Sequence, residues 1–99
     1  MEENLKVAAI QFNITLGEID QNLTKAEAAL VRVAKQDVKL AVLPEMWSAG
    51  YDYRRLAKHA AETPRVVEAI CRLSSEYKMV VIGSLPCAFW SSLPKEHNC

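Results

Sequence analysis

Residues 39–51 read KLAVLPEMWSAGY, and an acid, Glu45, stands directly behind a strand-forming run that Pro44 brings to a stop. The run 38–43 is apolar apart from Lys39. Proline contributes no N–H to a sheet ladder, so the strand ends before it. In open parallel sheets ligands bind beyond the carboxyl ends of the strands, where loops from several strands converge. Glu45 is expected at that edge. A carboxylate shielded from water there can act as a general base, an effect typically worth about a hundred- to ten-thousandfold in rate. A plainer account is also open: Pro44 and Glu45 begin a helical turn, where a missing donor is harmless and an acid favours the positive end of the dipole.

Two further apolar runs flank this one. Residues 5–12 are interrupted only by Lys6 and Gln11, and residues 79–82 are closed by Gly83 and Ser84. Between the first and second runs lies a loop carrying Gly17, and then Asp20 in position to cap a helix. Leu23, Ala26, Leu30, Val33 and Ala34 follow at the spacing that gathers them on one helical face, with Glu27 at its edge. After MWSAGYDY, residues 52–61 suit a short helix, and Thr63-Pro64 reads as the cap and first turn of a longer one. Val66, Ala69, Ile70, Leu73 and Tyr77 form the apolar stripe of that longer helix. The order strand, helix, strand, helices, strand predicts an α/β fold with three neighbouring parallel strands and right-handed crossovers. Residues 86–99 show no clear period and are left unplaced.

Composition narrows the class. Ninety-nine residues with 51% hydrophobic side chains suit one domain, and twelve basic against twelve acidic residues leave no electrostatic footprint for nucleic acid or an anionic membrane. No apolar run approaches the roughly 18 residues of a spanning helix, and MEENLK is unlike a secretory leader. A cytoplasmic protein with a small-molecule or protein partner is expected. Cys71, Cys87 and Cys99 are odd in number and lack metal-ligand spacing, so reduced thiols are expected. Cys71 lies near the apolar side of the second helix and suits a small core residue.

The series KVAAIQFN, a glycine-bearing loop, Asn22 opening an amphipathic helix, KLAVLPE, GYDY and MVVIGS resembles the amino-terminal part of the carbon-nitrogen hydrolase, or nitrilase, superfamily. The resemblance covers residues 5–85, and its most specific element is the strand running into Pro44-Glu45 with Gly50-Tyr51 behind. It implies a partial four-layer α-β-β-α sandwich, truncated after about three strands: one incomplete domain over 1–99. It also implies hydrolysis of non-peptide carbon-nitrogen bonds in small amides or nitriles by a glutamate, a lysine and a cysteine, with no cofactor or metal and with homo-oligomers possible. Glu45 matches the glutamate, which would take a proton from the cysteine and later from the water that resolves the thioester, while the lysine steadies the oxyanion. The family places lysine and cysteine on later strands, beyond this sequence, so the chain alone is expected to be inactive.

Other residues carry less. Cys87 follows the third strand, the wrong one for the family nucleophile, and Cys99 stands at the terminus. Trp47 and Tyr51 flank the acid and suit either packing or a pocket wall, with packing favoured for Trp47. His59, among lysine, alanine and glutamate, reads as solvated, and His97 lies in the unplaced tail. Two alternatives remain. A small parallel-sheet binding domain lacks support from QFNITLGEID, which is no glycine-rich phosphate turn. A non-catalytic interaction subunit would complete its sheet on another chain.

Overall fold

The computed structural model describes residues 4–86. Its elements run β1 (Val7–Ala9), α1 (Ile19–Ala34), β2 (Leu40–Val42), a 3-10 turn at Tyr53–Arg55, α2 (Leu56–Tyr77) and β3 (Val80–Ile82). The strands form one parallel sheet in the order β1-β2-β3, with Ala8 opposite Ala41 and Ala41 opposite Val81. The α/β class and the three neighbouring parallel strands are as expected. Each strand is shorter than its apolar run because the flanking residues leave the ladder one bond at a time. Ile10 N–H still donates to the Val42 carbonyl and Leu43 N–H to the Ile82 carbonyl, each at 2.8 Å.

Both helices cover one face of the sheet. Leu23, Ala26 and Leu30 of α1 and Val66 and Ile70 of α2 close over Ala41, Leu43 and Ile10, with Trp47 and Met79 completing the core. The stripe read for α1 is therefore the buried one. Its start differs from expectation: the cap position is Glu18, without a side-chain cap bond, and Asp20 lies in the first turn. There Asp20 pairs with Arg65 of α2 at 2.9 Å. Hydrogen bonds to Glu62 and then to Asp20 hold the Arg65 guanidinium above its ordinary pKa.

Two helices were expected between β2 and β3, yet α2 is continuous and carries Pro64 in its interior. The missing N–H leaves the Ala60 carbonyl without its usual donor, a loss that with ring crowding costs ~3 kcal/mol in an isolated helix. One buried stripe, His59, Thr63, Val66, Ile70 and Ser74, runs unbroken past the proline, and its burial offsets that cost. Thr63 is thus an interior residue rather than a cap, and its hydroxyl donates to the Pro86 carbonyl at 2.6 Å. The helix ends at Lys78, which takes the left-handed conformation (φ 52°) while Ser74 Oγ donates to the Met79 carbonyl at 2.5 Å.

The opposite face of the sheet is uncovered among the described residues. Strand alternation and the parallel register place Val7, Leu40 and Val80 in one row and Ala9, Val42 and Ile82 in the next. Val7 and Val80 are each 59% exposed and Ile82 51%. The first run is therefore largely exposed, with Ile10 its buried residue. Cys71 is disulfide-bonded, so the expectation of reduced thiols fails for it. Cys87, Cys99 and His97 lie outside the described residues, as do the remaining unplaced positions 87–99.

Candidate functional site

Glu45 opens a turn that leaves the carboxyl end of β2, the central strand. Every side of this turn is tied to another element. Met46 N–H donates to Ser84 Oγ at 2.8 Å, joining the turn to the segment after β3. On the β1 side, Gly17 N–H donates to the Ala49 carbonyl at 2.8 Å. From below, Asn22 Nδ2 donates to the Ser48 carbonyl and to the Thr15 carbonyl, while its Oδ1 accepts from Thr15 N–H, all at 2.8 Å. The Asn22 side chain is fully buried and fully used, so it welds α1 to both loops.

Trp47 supplies the apolar half of the anchor. It is 1% exposed and lies under Gly83, where a Cβ would come within 3.0 Å of its Nε1. The expectation of packing for Trp47 holds. Met46 takes a positive φ of 49° and Gly50 one of 69°, and Gly50 N–H closes the turn onto the Met46 carbonyl at 2.8 Å. A side chain at Gly50 would also press on Leu16 and Ile14, at 3.3 and 3.4 Å. The backbone that carries the acid is consequently rigid.

The acid itself is solvent-exposed, and Tyr51 Oη donates to its Oε1. Glu45 lines neither the apolar cleft between β3 and α2, walled by Leu43, Val67 and Leu85, nor the hollow formed by Leu16, Tyr51, Tyr53 and Arg54. The expected shield against water is not built by the described residues. Tyr51 is 49% exposed and stacks at a tilt on Tyr53, with ring centres 6.0 Å apart. It belongs beside the acid rather than in the core.

His59 departs furthest from expectation. It is 3% exposed, and its Nε2 donates to Asp52 Oδ2 at 3.0 Å, while Nδ1 is buried without a hydrogen-bond partner among the described residues. Gly17 fits against this pair, since a Cβ there would stand 2.8 Å from Asp52 Oδ2. The spacing His59, Thr63, Val66, Ile70 was the signal that the histidine faces inward. Asn22 also left a trace, as a polar residue four positions before Ala26 and eight before Leu30 on a buried stripe.

Among the described residues no cluster of histidine, cysteine and acid is suited to a metal, and no helix is long and apolar enough to cross a membrane. The family model for carbon-nitrogen hydrolases matches residues 6–92. The chain belongs to the carbon-nitrogen hydrolase family. It is similar to a nitrilase of Pyrococcus abyssi, 41% identical over 49 residues, which take in 50% of this chain and 19% of that protein. It is also similar to a 2-oxoglutaramate amidase of Bacillus subtilis, 33% identical over 63 residues, 64% of this chain and 24% of the relative. The chain therefore spans about a fifth to a quarter of these relatives' length. No solved structure matches it significantly.

Proposed function

We propose that this carbon-nitrogen hydrolase chain supplies the general base, Glu45, of a Glu-Lys-Cys amidohydrolase acting on a small amide or nitrile. The observation that carries the proposal is the placement of Glu45 at the carboxyl edge of the central strand, on a turn fixed by Asn22, Trp47 and Ser84. A catalytic group gains most when its backbone is set before substrate arrives. The carboxylate takes the Sγ proton as the thiolate attacks the amide carbon, and a lysine ammonium holds the oxyanion. The carbon-nitrogen bond breaks, and the amine leaves with that proton. Water then adds to the thioester, Glu45 takes its proton, and the carboxylic acid and thiol are released.

In this proposal lysine and cysteine come from segments outside the ninety-nine residues, and the chain alone does not turn over substrate. The uncovered sheet face receives a second sheet, completing the four-layer sandwich as one domain and closing the water-filled side of the site. Four exposed aliphatic side chains on that face, Val7, Val42, Val80 and Ile82, support this arrangement, because an apolar sheet face left in water invites a partner. Phosphate binding is disfavoured, since Glu18 and Asp20 crowd the start of α1 where an anion would sit.

The test is reconstitution. The Bacillus subtilis 2-oxoglutaramate amidase, deleted for the segment that aligns with this chain, is co-expressed with the 99-residue chain, and ammonia release from 2-oxoglutaramate is measured. Activity well above that of either part alone is expected. A stable complex that releases no ammonia would reject the proposed chemistry.

A further inference from the structure

The proposed mechanism leaves unused the group that touches Glu45. We propose that Tyr51 is a positioning residue: its hydroxyl holds Glu45 Oε1 and leaves Oε2 as the oxygen that exchanges protons. This rests on the reading of Glu45 as the base. A glutamate on an exposed turn samples several rotamers, and a donor fixed at one carboxylate oxygen selects among them. Oε2 has no hydrogen-bond partner among the described residues, so only one oxygen is committed.

Tyr51 is itself held from both sides. Before it, Gly50 closes the turn back onto the Met46 carbonyl. After it, Asp52 is gripped by the buried His59 of α2 at 3.0 Å, so the backbone on either flank of the tyrosine is fixed. A tyrosine serving the core alone would bury its ring. This one is half in solvent, and its hydroxyl goes to the acid. The Asp52–His59 pair thereby acts on Glu45 at one remove, through the position of Tyr51.

The experiment uses the full chain, alone and in the reconstituted amidase. With 13C at tyrosine Cζ and glutamate Cδ, an acid titration followed by NMR is expected to move the Tyr51 Cζ and Glu45 Cδ signals with a common midpoint. The Tyr51 movement should vanish in Glu45→Gln. Separate midpoints, or a Tyr51 signal that does not respond, would overturn the pairing. In the reconstituted enzyme Tyr51→Phe, with circular dichroism unchanged, is expected to lower kcat by about tenfold or more at little-changed KM, the size of effect that loss of a hydrogen bond to a charged group produces. A fall in kcat of less than about threefold would overturn the positioning role. The Glu45→Gln control keeps the two failures apart. If it is active, Glu45 is not the base and the positioning role falls with it. If it is inactive while Tyr51→Phe is unaffected, only the tyrosine's role is rejected.

Discussion

Replacing Asn22 with alanine removes three hydrogen bonds at once, two given to the Thr15 and Ser48 carbonyls and one accepted from Thr15 N–H. Each such bond contributes about 1 kcal/mol net. Because the Asn22 side chain is fully buried, the orphaned backbone groups cannot all recover water, and a total of roughly 2–4 kcal/mol is expected. A small domain has only about 5–15 kcal/mol of stability, so this is a large share. With a urea slope of about 1–1.5 kcal/mol per molar at this size, the midpoint of unfolding should fall by about 2 M, read by circular dichroism of α1 and α2. Asn22→Asp is the sharper variant. It keeps the acceptor for Thr15 N–H but turns oxygen towards two carbonyls that need a donor, so it should be at least as damaging as alanine. A midpoint within about 0.3 M of the parent for both variants would refute the view that Asn22 welds the Glu45 turn to α1.

Gly83→Ala should destabilise by about 1–3 kcal/mol, because its Cβ would meet Trp47 at 3.0 Å and Leu43 at 3.2 Å; thermal unfolding checks this. Pro64→Ala should raise the unfolding midpoint by restoring a donor to the Ala60 carbonyl, a gain of about 1–3 kcal/mol, and unchanged stability would mean that the helix has already adapted to the proline. Val80→Lys together with Ile82→Lys should reduce aggregation of the chain alone and abolish reconstitution with the amidase. Light scattering and ammonia release read the two effects, and intact reconstitution would contradict a second sheet on that face.

The sheet was legible because its signals are local. Three apolar runs, an intervening helical stripe and Pro44 as a stop fix the type and order of the elements without any distant contact. The site was legible only in part. Pro44-Glu45 marked the acid at the strand end, but what holds it depends on side chains brought together from residues 15, 22, 48 and 84, which no spacing rule joins. Pro64 carries a strong local signal for a helix start, whereas burial of one continuous stripe runs the helix through it. His59 reads as solvated from its charged neighbours, although its helical phase with Thr63 and Val66 points inward. The disulfide of Cys71 has no signal in the sequence, where the odd count of cysteines points to reduced thiols instead.

The central claim is that Glu45 moves the protons, and Glu45→Gln in the reconstituted amidase tests it most directly. The substitution keeps the size of the side chain and its place beside Tyr51 while removing the base. The account predicts a complex assembled as before, with kcat lowered by at least about a hundredfold. Turnover within about threefold of the unsubstituted complex would contradict it.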